Sequence, residues 1–241
     1  MKIYAYNKAS ESAKNLAKVL GVKRLKQNGK KVKGLIINWG ASAIPREYEK
    51  VINSPDAVAR ASNKLSAMEI LGLFDVAVPF TQDIEEAKEW IDEGATVVCR
   101  TLLNSHSGKG IVLASSKEEL VKCQLYTRYI KKNFEYRLHV HLGEVFFIQQ
   151  KQRKLDVPDD KVNWQIRNHQ NGFIYANKNI VLDDQIKKYA KHAVLRLGLD
   201  FGAVDIIVTK AGLPYVLEVN TAPGLSGATL EAYKQEFSIY K

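Results

Sequence analysis

Apolar positions recur with helical spacing in some stretches and alternate with polar ones in others, and each switch predicts an element. Lys2 to Tyr6 reads as a strand, and Ser10 then caps an amphipathic helix from Glu11 to Leu20 that Gly21 stops. Gly34 to Trp39 is a second strand, so the chain opens β-α-β, with Lys23 to Lys33 as a basic loop. Asn53-Ser54-Pro55-Asp56 is a helix start, because Ser54 can cap and Pro55 suits the first turn. Val58, Ala61, Leu65 and Met68 form one stripe, which predicts a single helix ending near Gly72. Thr81 opens another through Ile84, Ala87 and Ile91, ended by Gly94.

From Ala95 the pattern becomes strand, loop, strand. Thr96 to Arg100 leads through a loop containing Ser107-Gly108-Lys109-Gly110 into Ile111 to Ala114. Ser116 and Glu119 have capping-box spacing for a helix reaching about Tyr126. Next comes a clear alternation. Tyr136, Leu138, Val140 and Leu142 share one face, and Glu135, Arg137, His139 and His141 share the other, expected to be solvated. Gly143-Glu144 turns the chain back into Val145 to Arg153. A looser segment from Lys154 to Asn179 precedes a helix capped by Asp183 and stopped by Gly198, and Thr229 to Phe237 reads as a closing helix. The element order argues for α+β layers with antiparallel sheets in the second half.

Between those last helices, Ala203 to Val208 and Tyr215 to Asn220 flank the turn Lys210-Ala211-Gly212-Leu213. A symmetric hairpin sets Asp205 directly opposite Glu218, and Asn220 joins Glu218 on the same face. Opposed carboxylates repel unless something positive lies between them. A hard cation such as Mg²⁺ fits, since it binds through one or two carboxylates plus substrate phosphates. The loop Thr221 to Gly227 follows at once and can bring backbone N–H groups to a ligand.

Composition narrows the classes. The 241 residues carry 46% apolar and 26% charged side chains, enough for a sizeable core. No apolar run approaches a membrane span, and the N-terminus lacks a signal-peptide pattern. Cys99 and Cys123 show neither metal spacing nor a disulfide framework, which suits the reducing cytoplasm. The net charge of +10 favours anionic partners, but it is dispersed and lacks the aromatic-and-basic interleaving of a nucleic-acid groove. The Ser107-Gly108-Lys109-Gly110 loop is suited to an anion but is not a Walker A loop. Arg100 ends its strand, where a guanidinium can clamp a phosphate.

With these residues assembled, the stretch from about Val51 to Tyr233 resembles an ATP-grasp carboxylate–amine ligase. The most specific match is Leu217-Glu218-Val219-Asn220-Thr221-Ala222-Pro223-Gly224 with Asp205 upstream. Ala61-Ser62-Asn63-Lys64-Leu65, the Gly108 loop, Glu135-Tyr136-Arg137 and Gly198 to Asp205 support it. Within the superfamily it is most similar to the ribosomal-protein glutamate ligase and D-alanine–D-alanine ligase branches.

The resemblance implies two α/β subdomains (about 55–130 and 131–241) clasping a nucleotide, behind a short β-α-β domain over 1–54. It implies ATP as nucleotide and two Mg²⁺ ions, or Mn²⁺ in their place, held by Asp205, Glu218 and Asn220. Lys64 and Arg100 would contact phosphates, Arg100 standing where the family usually has lysine. Ser107, Gly108, Lys109 and Gly110 would close over them, and Arg128, Tyr129 and Ile130 would hold the base, the latter two through their backbone. Glu135 matches a ribose-binding acid, and Arg137, Lys151 and Arg167 would face the reacting carboxylate, with Arg137 stabilising the oxyanion. Gly224 and Thr229 fall at substrate positions, Thr229 where a substrate carboxylate can be held. Relatives often have a longer N-terminal domain, so specificity does not carry over.

The expected reaction joins a small-molecule or peptide carboxylate to an amine, and an acidic protein tail is one candidate partner. Rival readings are a nucleotide-binding regulator that does not ligate and a kinase-like enzyme that stops at a phosphorylated product. The oligomeric state stays open.

Overall fold

In the computed structural model, every residue is described except 28, 30, 105–108, 168 and 169. The chain runs β1 (Lys2–Ala5), α1 (Glu11–Leu20), β2 (Lys23–Arg24), β3 (Val32–Trp39) and β4 (Tyr48–Ile52). These strands form a four-stranded parallel sheet in the order β2-β1-β3-β4. Ser10 Oγ accepts the Ala13 N–H and Gly21 ends α1 at φ 67°, as the sequence predicts. The expected basic loop is shorter than its composition suggests, because β2 pairs beside β1 and β3 begins at Val32.

Next come α2 (Pro55–Ser62), α3 (Lys64–Gly72), β5 (Phe80–Thr81), α4 (Ile84–Asp92), β6 (Val97–Arg100), β7 (Ile111–Ala114) and β8 (Tyr126–Arg128). The single helix expected up to Gly72 is two. Asn63 adopts an extended conformation, and its side chain caps Leu65 and Ser66. This break starts a new helix at Lys64. The helix expected from Thr81 begins later, at an Asp83 cap, because Thr81 pairs with Tyr126 in the sheet β5-β8-β6-β7. The predicted capping box fails as well. The Glu119 carboxylate accepts from Ser115 N, and only a 3₁₀ turn forms over Lys117–Glu119 before the chain enters β8.

The remainder is β9 (Lys132–His141), β10 (Glu144–Arg153), β11 (Phe173–Ala176), α5 (Asp184–Arg196), β12 (Phe201–Thr209), β13 (Pro214–Asn220) and α6 (Gly227–Phe237). Its antiparallel sheet, ordered β11-β10-β9-β12-β13, is the floor of the molecule's main cleft. One face carries Tyr136, Leu138, Val140, Val204, Ile206 and Val219 against α2 and α5. The other is polar in its middle and apolar at both ends. Phe201 stacks on Trp39 of the N-terminal sheet at 5.5 Å, with Tyr233 and Phe237 of α6 against them. Ile207 packs with Met68, Val78 and Leu125 at the opposite end. The solvated face expected for His139 and His141 is therefore wrong, since both rings are buried under α6.

Asn53 pins the N-terminal sheet to β12. Its Oδ1 accepts the N–H groups of Asp200 (2.8 Å) and Phe201 (3.0 Å), and its Nδ2 donates to the Phe201 carbonyl. Its φ of 61° lies in the left-handed region that asparagine tolerates better than most residues. Asn53→Ala orphans the buried Phe201 N–H and the part-buried Asp200 N–H and retains the strained dihedral, so chemical denaturation should show a loss of roughly 2–4 kcal/mol. A loss under about 1 kcal/mol would mean that water replaces the side chain.

Candidate active site

Register builds the centre of the site. Arg137 on β9 lies opposite Gln149 of β10 and Asp205 of β12, and Asp205 lies opposite Glu218 of β13. Four polar residues thus form one row across four strands. The predicted Asp205–Glu218 facing is present, but the symmetric hairpin is not. The register slips between Asp205 and Ile206, leaving Leu217 and Glu218 at a β-bulge. Leu217 consequently packs with Ile207 on the cleft side beside Glu218, breaking the two-residue alternation.

The Arg137 guanidinium grips Asp205 with a two-pronged fork, Nε to Oδ1 at 2.6 Å and Nη2 to Oδ2 at 2.7 Å. Asn220 Nδ2 donates to Glu218 Oε1 at 3.1 Å and reaches Asp205 Oδ2 at 3.4 Å. Burial pushes the Asp205 carboxyl up, but the Arg137 charge and hydrogen bonds outweigh it and hold the group below its usual range. Glu218 goes the other way, raised by burial and then by the Asp205 charge. Arg137 itself is raised, its contacts with Asp205 overcoming burial.

Around this row a cleft of about 1660 Å³ opens, large enough for a nucleotide and a second substrate. Lys64 and Arg100 line its side near Glu218, and Lys109 also lines the cleft. Burial lowers both Lys64 and Arg100, and the Glu218 charge partly restores each. The Arg100 Nε is buried without a hydrogen-bond partner among the described residues. Such an atom calls for a partner, which an anion in the cleft would supply.

At the far end Glu135 is buried between Lys132, at 2.9 Å, and Lys151. Tyr129 and Ile130 line the same end, but the Tyr129 N–H already donates to Thr96 O at 2.8 Å. That leaves its carbonyl as the group able to meet a base. The Arg128 guanidinium turns to Glu93 and Trp90 and its N–H donates to Pro79 O at 3.0 Å, so only its carbonyl is left for a base contact. Arg167 departs from expectation. It donates to the carbonyls of Lys132, Asn133 and Trp164 and lies nearest Glu135 and Tyr129, away from the Asp205 row. Lys151 sits between the two ends, paired to Glu135 and 5.3 Å over the Tyr175 ring. Ser107 and Gly108 lie outside the described residues, while Lys109 and Gly110 border the loop. Gly224 and Thr229 line the cleft where α6 begins, and Ser12 of α1 accepts the Leu225 N–H at 3.0 Å.

Two functional candidates escaped the sequence reading. Tyr175 on β11 stacks 4.6 Å from the Arg137 guanidinium, and its buried hydroxyl has no partner among the described residues. Gln149 lies in the Asp205 row and reaches Thr229. Neither falls in a motif; for Gln149, strand parity with Lys151 was the available signal.

The donor set fits a hard divalent ion that arrives with phosphates. It offers two carboxylates and the Asn220 amide, whose oxygen would face an ion once the amide turns over, and among the described residues no group of three His, Cys, Asp or Glu side chains converges. An all-protein metal cage is therefore absent there, and phosphate oxygens would have to complete the coordination of Mg²⁺.

No protein-family model matches the chain. In sequence it is 30% identical over 195 residues to the tetrahydromethanopterin:alpha-L-glutamate ligase of Methanocaldococcus jannaschii, covering 75% of this chain and 65% of that protein. It is 30% identical over 185 residues to a probable alpha-L-glutamate ligase of Mannheimia succiniciproducens, covering 72% and 60%. The chain thus spans less than two thirds of the length of these relatives. Among solved structures, the ATP-grasp ligase PsnB in complex with a precursor variant, Mg and ADP superposes with a TM-score of 0.69 at 11% identity, covering 100% of this chain and 98% of that one. D-alanyl-alanine synthetase A of Vibrio cholerae gives 0.69 at 13% identity, with 98% and 93% covered. Shared architecture over nearly the whole chain shows the ATP-grasp fold, and in sequence the chain is similar to alpha-L-glutamate ligases.

Proposed function

We propose that this chain is an ATP-dependent ligase that joins a carboxylate to an amine, releasing ADP and phosphate. The observation that carries the reading is the row Arg137–Asp205–Glu218 with Asn220, set beside buried cations that include an unpartnered arginine nitrogen. Asp205, Glu218 and Asn220 would hold two Mg²⁺ ions, or Mn²⁺, whose chemistry is to neutralise the phosphate charge and bridge it to the protein. Phosphoryl transfer asks the protein for positioning and charge, and no nucleophilic side chain is needed.

The substrate carboxylate attacks the γ-phosphorus of ATP and displaces ADP. Lys64, Arg100 and Lys109 hold the phosphates, and Glu135 meets the ribose. The amine then adds to the acyl carbon of the acyl phosphate, and phosphate leaves as the C–N bond is completed and the amine loses its proton. Arg137 and Tyr175 border the place where the tetrahedral oxyanion develops. Tyr175→Phe removes only the hydroxyl and should slow turnover about tenfold while leaving the melting temperature unchanged. An unaltered rate would remove that assignment.

Residues 1–54 form a separate N-terminal domain in this reading, and 55–241 form the ATP-grasp unit. The glutamate-ligase relatives support an amino acid as the amine, and the cationic cleft supports an acid as its partner. That partner is a metabolite or the acidic tail of a peptide or protein, in a monomer or an oligomer. The test is trapping with hydroxylamine under ATP and Mg²⁺ across a panel of acids. A hydroxamate with stoichiometric ADP supports ligation. ADP with no hydroxamate supports a kinase-like end point, and nucleotide binding without ADP supports a regulator.

A further inference from the structure

Beneath α6, a line of buried hydrogen bonds runs from the aromatic core to the cleft. Tyr233 Oη meets His139 Nδ1 at 3.0 Å, and His139 Nε2 meets Gln149 Oε1 at 2.9 Å. Gln149 Nε2 meets Thr229 Oγ1 at 3.2 Å. Tyr233 and His139 are 0% exposed and Thr229 is 5% exposed, yet Thr229 and Gln149 both line the cleft. The ligase reading gives neither the histidine nor the tyrosine any role.

The direction of this line follows from donor chemistry. An amide oxygen only accepts, so His139 Nε2 carries the proton and Nδ1 accepts from the Tyr233 hydroxyl. An amide nitrogen only donates, so Thr229 Oγ1 accepts from Gln149. Turning the Gln149 amide over would reverse every bond and leave the Tyr233 proton buried with no acceptor among the described contacts. That costs more than an unused oxygen lone pair. The neutral ring needed here agrees with His139 being lowered to about 4, chiefly by burial, which outweighs the opposing Gln149 hydrogen bond, with the Arg137 charge a lesser cause.

We infer that Tyr233, His139 and Gln149 are positioning residues that hold the Thr229 hydroxyl proton pointing into the cleft, as a donor to an oxygen on the substrate. The Thr229 proton has no protein acceptor among the described contacts. The group facing it is therefore a hydrogen-bond acceptor, best a carboxylate oxygen, and an ammonium, which only donates, is disfavoured there. Its identity as the carboxylate of the amino-acid substrate rests on the ligase reading; the line of bonds does not.

Two measurements on the full chain test this. Histidine ¹⁵N spectra at pH 7.5, with His139 assigned by comparison with His139→Gln, should show a neutral ring protonated on Nε2. A ring protonated on Nδ1, or on both nitrogens, overturns the inference. In ADP-release assays with L-glutamate as the amine probe, Thr229→Val and Gln149→Leu should raise KM about tenfold or more with kcat within about threefold. Thr229→Ser, which keeps the hydroxyl, should stay within about threefold of the parent KM. A Thr229→Val KM equal to the parent's, or a Thr229→Ser KM as high as the valine's, also overturns it. Should the parent protein release no ADP with any acid and amine, the ligase reading falls alone, and the His139 tautomer still decides the relay.

Discussion

Glu218→Gln should lower magnesium-dependent ADP release by about 10³-fold or more and leave the melting temperature unchanged or raised. The two readouts move apart because Glu218 is badly placed for the folded chain and well placed for an ion. Burial and the facing Asp205 charge both raise its carboxyl. An acid raised on folding adds stability below its unfolded value near 4.3 and loses it as pH climbs through the folded one. Wherever the group is ionised it strains the ladder, and a neutral amide of the same shape relieves it. Bound Mg²⁺ needs that charge. At an effective dielectric constant near 20, one unit charge at contact is worth roughly 4 kcal/mol, which is about 10³ in rate. The same raised carboxyl makes Mg²⁺–nucleotide binding release protons as pH falls toward its range. Calorimetry in buffers of different ionisation enthalpy should show this release in the parent and its disappearance in Glu218→Gln. Parent-like turnover, or a melting temperature lowered by more than about 5 °C, would remove Glu218 from the metal set.

Asp205, Glu218 and Asn220 were legible because a hairpin is a local object, although Asp205 meets Glu218 only through the bulge at Leu217, which spacing does not reveal. The caps at Ser10, Ser54 and Asp183 were legible for the same reason, each being settled within three residues. What could not be read depends on layers meeting across distance. The alternation Glu135, Arg137, His139, His141 correctly gives two faces, but it cannot say that the polar one is roofed by α6, more than eighty residues later. The short strands β4 and β11 exist because neighbours pair with them, and nothing in five or four residues demands a strand. The bulge at Leu217 and the break at Asn63 each reset a register that periodicity assumes to be continuous. Both breaks supply the site, one bringing Leu217 alongside Glu218 and the other starting a helix at Lys64.

Arg137→Ala shows how closely stability and chemistry are tied in that row. An arginine serving only the oxyanion would cost rate and nothing else when removed. Here its fork holds both oxygens of Asp205, a residue 5% exposed, directly beside Glu218. Removing it leaves a buried carboxylate unpaired and facing a second one, a change of roughly 3–5 kcal/mol. For a chain of this length that is a drop of about 6–20 °C in melting temperature. After accepting the fork Asp205 keeps two lone-pair directions, one of them reached by Asn220 at 3.4 Å, so arginine and ion can share it. In the variant a divalent ion becomes the main counter-charge, and Mg²⁺ with ADP should restore more of the melting temperature than it adds to the parent. Catalysis should not return with it, because the oxyanion donor is still missing, at about 10²–10³ in rate. Arg137→Lys separates the two duties. It keeps the charge and most of the stability but not the planar fork, so it should melt near the parent and turn over like the alanine variant. An Arg137→Ala protein that melts like the parent would show that Asp205 does not depend on the fork, and the row would need another explanation for its buried charges.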